Sequence, residues 1–213
     1  MIFVERTEEP VALRRNKQRW QQKLADAPTK ETREKAQEKY RHKQIQEVLR
    51  DQMFHGKCAY CETFFAHTAH GHIEHFWPKA QYPEKTFEWE NLLWACPICN
   101  SDLKNDVFPL EGEAPVLVDP TRDRPEEHFH FVWDEVAKLA TLTEKTERGR
   151  VSKELYDLNR QALRKDRSEY VEKLMAIAAY LPNPEAADIL RKACQASSEY
   201  SAFAQMLMSK KNV

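Results

Sequence analysis

Apolar positions recur at helical spacing toward both ends of this chain, whereas its middle holds short runs and alternations. Residues 11–25 predict a helix that sets Leu13, Trp20 and Leu24 on one face. Pro28-Thr29 predicts the start of a long charged helix, with Thr29 as N-cap and Glu31 in the first turn. Its stripe, Ile45, Val48, Leu49 and Met53, has i, i+3, i+4, i+8 spacing and is expected to pack on the module C-terminal to it. The helical period returns from Val151, with Leu163, Tyr170, Val171, Leu174, Ile177, Ala178 and Leu181 on one face. Pro182-Asn183-Pro184 stops that helix and starts another, Asn183 as N-cap and Pro184 at the first helical position. Tyr200, Phe203, Met206 and Leu207 carry a last apolar face.

Between these helices the pattern changes. Residues 72–76 and 88–95 predict two short strands, and Pro97 opens a helix, so the order is ββα. Val116-Leu117-Val118 predicts a strand ended by the turn at Asp119-Pro120. Residues 128–133 and 138–143 alternate as a hairpin should. The expected fold is mainly α with a small ββα module, α+β overall. Four segments are expected: a basic helical arm at 1–54, the module at 55–110, an acidic loop and hairpin at 111–148, and C-terminal helices at 149–213.

Composition changes this picture little. The 213 residues are 31% charged with a net charge of -1, so the whole chain is not basic. The distribution says more. Residues 14–57 hold 13 Lys/Arg against 6 Asp/Glu, and residues 111–136 hold 2 against 8. A basic arm beside the module suits a polyanion, although a solvated helix face explains a charge run more plainly. The chain has four glycines and neither a Walker A loop nor GxGxxG, so ATP or dinucleotide binding by those routes is not expected. Residues 1–10 do not look like a signal peptide, and the longest apolar stretch, 174–181, is too short to span a bilayer. A cytoplasmic protein is expected.

The chemistry is concentrated in the module. Cys58-x-x-Cys61 and Cys96-x-x-Cys99 can place four sulfurs around one zinc ion. Such a site has no open position, so its role is structural. Cys194 is left over and is expected to be a packed thiol. Phosphodiester hydrolysis needs a base, an attacking water and a cation for developing charge. His75 is the candidate base. Glu74 and Asn100 offer oxygen ligands that suit Mg²⁺ or Mn²⁺. Asn91 is placed to fix the His75 ring. Lys104, four residues after Asn100, and Lys79 are candidate phosphate contacts. His72 shares a strand face with Glu74 and could assist, or simply stand behind it. Trp77, Trp89 and Trp94 could stack bases, although packing explains at least two of them. Asp157, Asn159 and Arg160 suit a docking turn or a local hydrogen-bond network equally.

These residues carry a resemblance. Cys-Ala-Tyr-Cys-Glu, Ile-Glu-His-Phe-Trp-Pro-Lys and Trp-Glu-Asn-Leu-Leu-Trp-Ala-Cys-Pro-Ile-Cys-Asn are similar to the HNH, or ββα-metal, endonucleases. In that pattern His75 takes the first position, Asn91 the middle one, and Asn100 stands where the last histidine often is. Glu74 replaces the more usual Asp, with a longer reach. Val-Leu-Val-Asp-Pro, Arg-Pro-Glu-Glu-His-Phe and Leu-Tyr-Asp-Leu-Asn-Arg narrow the resemblance to the PtuB subfamily, over residues 45–175. The resemblance implies an anti-phage nuclease of Septu or retron type that acts on DNA or RNA. It also implies a PtuA-type ATPase partner and, in retron versions, a reverse transcriptase with its RNA–DNA product. The rival expectation is a zinc-stabilised nucleic-acid-binding or docking module without catalysis.

Overall fold

In the computed structural model, which describes residues 1–67 and 69–211, helices dominate and the strands pair into three two-stranded antiparallel sheets. The fold is α+β, as the mixed periodicities require. No described helix is long and apolar enough to cross a membrane. The chain divides into two compact units. One contains Glu5–Cys58 and Phe65–Phe108; the other contains Met1–Val4, Ala59–Phe64 and the chain from Pro109 onward.

The first unit begins with α1 (Val11–Ala25), which buries Leu13, Trp20 and Leu24 as its spacing predicts. Thr29 caps α2 (Lys30–Gln37): its hydroxyl accepts from the backbone N–H of Thr32, and its own N–H is bonded by the Thr32 side chain. The expected long helix does not continue. The chain tightens into a 3₁₀ turn at Glu38–Arg41, and His42 turns extended, with φ -56° and ψ 134°. The His42 ring then accepts from the N–H of Gln44 and starts α3 (Lys43–Glu47). A side chain that satisfies the backbone outside the helix competes with helix continuation. The break also buries Tyr40, which a straight charged helix would have left on its surface. The helical path resumes and runs on through wide π-type turns at Val48–Met53, burying Ile45, Val48, Leu49 and Met53.

Strand β1 (His72–His75) pairs with β2 (Leu92–Ala95) in the register Glu74↔Leu93 and His75↔Leu92. The second strand is shorter than its apolar run suggests, because Trp89–Asn91 forms a 3₁₀ turn that leads into it. A seven-residue π-type helix, Ile98–Lys104, completes the ββα order. Gly71 precedes β1 for a steric reason: a Cβ there would lie 2.0 Å from the Trp94 ring, which stacks on Phe65.

The second unit is built on the hairpin of β5 (Phe129–Asp134) and β6 (Leu139–Glu144), found within a residue of its expected place. The anticipated strand at 116–118 is absent. A small hairpin of β3 (Leu110–Glu111) and β4 (Ala114–Pro115) precedes it, and the Val118 N–H donates to Ser152 Oγ instead of to a strand partner. The helices are α4 (Pro125–His128), α5 (Glu147–Leu155), α6 (Gln161–Ala178), α7 (Pro184–Ala193) and α8 (Ser201–Lys211). Asn183 caps α7 with Pro184 in its first turn. Asn159 clips β6 through both bonds of Leu142, and the buried Arg167 donates to Asn159 Oδ1 and to the Ala140 and Leu158 carbonyls. For Asn159 the local network is therefore what forms.

Candidate functional site

The cysteine spacing brings its four sulfurs together. Cys58, Cys61, Cys96 and Cys99 are buried, and their Sγ atoms lie within 4.8 Å of one another. Tetrahedral zinc with bonds near 2.3 Å needs sulfurs roughly 3.8 Å apart, so the cluster fits zinc. The Cys99 N–H points at Cys96 Sγ, at 3.4 Å. Among the described residues this is the one group of three or more Cys, His, Asp or Glu side chains fit to hold a metal. Cys194, at the end of α7, is half-buried and its thiol is pushed up by burial.

The ββα segment forms one wall of an open cavity of about 440 Å³. His72, Glu74, His75, Lys79, Asn100 and Ser101 line it, joined by Tyr40 and Arg41 from the broken helix. His75 and Glu74 are both buried. His75 Nε2 lies 3.0 Å from the carbonyl oxygen of Thr86. A carbonyl only accepts, so Nε2 carries the proton and Nδ1 keeps the lone pair. The Tyr40 and His75 rings meet in a T-shaped arrangement, their centres 4.6 Å apart and their planes at 83°. Burial, then the nearby Lys79 ammonium, pushes the His75 pKa down to about 3, so the ring is neutral in the fold.

Asn91 does different work from the one its position suggested. Its Oδ1 accepts from the Trp77 N–H at 2.7 Å, and its Nδ2 donates to the Trp77 and Lys85 carbonyls, each at 3.0 Å. It staples the loop between the strands. Thr86, on that same loop, is what orients His75, and sequence reasoning missed it because a backbone carbonyl leaves no residue-type signal.

Lys104 also departs from expectation. It is fully buried, and its Nζ lies 2.7 Å from Glu74 Oε1 while donating to the His75 carbonyl at 3.0 Å. It stands as a buried counter-ion to Glu74 and is not among the residues that line the cavity. The reason lies in its partner: Glu74 is a buried carboxylate, and the Lys104 ammonium at 2.7 Å offsets that buried charge. Lys79 does line the cavity, with its Nζ 5.8 Å from the Tyr40 ring centre.

His72 is half-buried, and its Nδ1 shares a hydrogen bond with Ser101 Oγ at 3.2 Å. Burial lowers its pKa, and the Arg41 charge lowers it further. Trp89 and Trp94 are buried. The Trp89 Nε1–H donates to the Thr7 carbonyl, and Arg6 lies over the same ring. Trp77 is half-buried against Tyr82 and Phe108. Packing accounts for all three. Glu74 and Asn100 both line this cavity, and carboxylate and amide oxygens are the donor types that suit a hard divalent cation.

Comparison with known proteins agrees with this geometry. Residues 58–106 match the HNH endonuclease family. The chain is 30% identical over 158 residues to a Septu protein PtuB of Bacillus mycoides (strain KBAB4), covering 62% of this chain and 52% of that protein. A Septu protein PtuB of Bacillus thuringiensis is 34% identical over 79 residues, 37% of this chain and 29% of that protein. This chain thus spans about half or less of the length of the curated relatives it matches. It thus holds a segment similar to the HNH endonucleases and is similar over part of its length to Septu PtuB proteins.

Proposed function

We propose that this HNH-bearing relative of PtuB is a metal-dependent endonuclease in which His75 removes the proton from the water that attacks phosphorus. One observation carries the reading. The Nε2–H bond to the Thr86 carbonyl fixes the tautomer and leaves Nδ1 basic, on a residue that lines the same cavity as Glu74 and Asn100. A neutral imidazole accepts a proton, and an anionic phosphate beside it favours the protonated ring that burial first, and Lys79 second, disfavours.

Glu74 and Asn100 would hold one Mg²⁺ or Mn²⁺, which when bound supplies positive charge for the phosphate and the leaving 3′ oxygen. Lys104 holds Glu74 in place through a buried ion pair. Asn91 holds the loop that carries Thr86 and so preserves the aim of His75. Lys79 meets a substrate phosphate. The four cysteines hold structural zinc. Hydrolysis in this sense leaves a 5′ phosphate and a 3′ hydroxyl.

The relatives carry the Septu name, which supports a place in an anti-phage complex with a PtuA-type ATPase. The test is cleavage of DNA and RNA, duplex and single-stranded, with Mg²⁺ or Mn²⁺, by the chain alone and with the ATPase. Cleavage that disappears in His75→Ala while zinc content matches that of the wild-type chain supports the reading. Full activity in His75→Ala, or 2′,3′-cyclic phosphate ends, would sink it.

A further inference from the structure

We infer that Arg41, anchored on Tyr40 and joined by Lys79, forms a second phosphate-binding clamp, which grips the nucleic-acid backbone beside the phosphate attacked from His75. The inference rests on the nuclease reading and deepens it, because it brings Tyr40 and Arg41, which lie outside the matched HNH segment, into substrate binding.

A polyanion that enters this cavity meets the carboxylates of Glu74 and Asp106, so cations must offset them. Among the described lining residues those cations are Arg41 and Lys79. Lys104, a third cation close by, is buried on Glu74.

Geometry ties both cations to the proposed base. The Arg41 Nε–H donates to Tyr40 Oη at 3.1 Å, and the guanidinium carbon lies 5.5 Å from the Tyr40 ring centre. Lys79 Nζ lies 5.8 Å from the same centre. That ring packs against His75 in a T-shaped arrangement, centres 4.6 Å apart. One buried aromatic side chain therefore sets the positions of two cations relative to the ring that would activate water.

The guanidinium is also suited to the task. Its Nε is used on Tyr40, which leaves the terminal nitrogens. The nearest of these to a carboxylate is 3.8 Å from Glu38, with Arg41 61% and Glu38 65% exposed. A pair that exposed and that long holds Arg41 weakly. A phosphate, by contrast, takes two N–H donors in one plane. A plain solvated arginine would not need its Nε fixed on a buried tyrosine, since that ordering costs side-chain entropy. The break in the helix at His42, which the sequence pattern did not predict, is what presents Tyr40 and Arg41 to the cavity.

The test is equilibrium binding without added Mg²⁺ or Mn²⁺, which leaves the Tyr40–His75 contact intact while the metal-dependent cleavage cannot run. The probes are a fluorescent DNA duplex and a fluorescent single-stranded RNA, titrated over a range of salt. Arg41→Gln should weaken binding of the better probe by about tenfold and lower its salt slope by about one ion. Arg41→Lys should restore the slope but not the affinity, because it lacks the planar fork. Tyr40→Phe should lose part of the affinity at an unchanged melting temperature. Arg41→Gln with unaltered affinity and slope overturns the clamp, as does failure of both probes to bind. Cleavage by the wild-type chain, lost in His75→Ala, is scored separately, so the nuclease reading stands or falls on its own.

Discussion

Lys104 Nζ lies 2.7 Å from Glu74 Oε1, and neither side chain is more than 3% exposed. The pair joins the strand that carries His75 to the end of the helix that carries Asn100. Removing one member of a buried pair leaves the other charge without its counter-ion, which costs about 3–5 kcal/mol. Lys104→Met should therefore lower stability strongly, and Glu74→Gln in the same chain should recover part of the loss. Denaturant unfolding of the single and double variants checks this. A Lys104→Met chain as stable as wild type would show that the pair contributes little.

Asn91 offers a second prediction. Its carbonyl and amide satisfy one N–H and two carbonyls of the loop at 77–85. Asn91→Asp keeps the acceptor but loses both donors, and it sets a charge against two carbonyl oxygens. Each buried group left unsatisfied costs about 1–3 kcal/mol. Lower stability is expected, together with loss of cleavage beyond what the lower folded fraction explains, because Thr86 follows Lys85 on the same loop. Circular dichroism melts and initial rates on the same preparations separate the two effects.

The pH dependence of stability is set in part by His75. Its folded pKa, about 3, lies below the ordinary value of 6.5. Between these values the unfolded chain binds a proton that the folded chain does not, so stability falls as pH falls through that window. The stabilising contribution is fully present above about 6.5. Acid also protonates zinc thiolates, so the informative quantity is the difference between wild type and His75→Ala, whose stability should depend less steeply on pH. Parallel curves for the two chains would contradict the assigned burial effect.

Metal removal tests the cysteine cluster. Four buried sulfurs within 4.8 Å of one another require the metal to keep thiolates together. A strong chelator at neutral pH should melt the cysteine-bearing module and release one zinc ion per chain, whereas Cys58→Ser should prevent stable folding of the module. Emission from Trp94, stacked on Phe65 beside β1, should shift red in both cases. Unchanged emission after complete zinc loss would show that packing alone holds the module.

Much was legible in the residues themselves. Cysteine spacing, the order strand, strand, helix, and the positions of Glu74, His75, Asn91 and Asn100 are local or periodic features, and a chain of residue types displays such features directly. Helix caps at Thr29 and Asn183 were legible for the same reason, since each acts on backbone groups two or three residues away. Tertiary structure decided the rest. It broke the charged helix at His42, turned Tyr40 toward His75, sent Lys104 inward to Glu74, and gave the His75 ring a backbone carbonyl for its Nε2–H. Each of those outcomes depends on burial or on a partner distant in sequence. Periodicity records which face is apolar; it does not record which buried charge finds which counter-ion, or which carbonyl a loop brings to a ring.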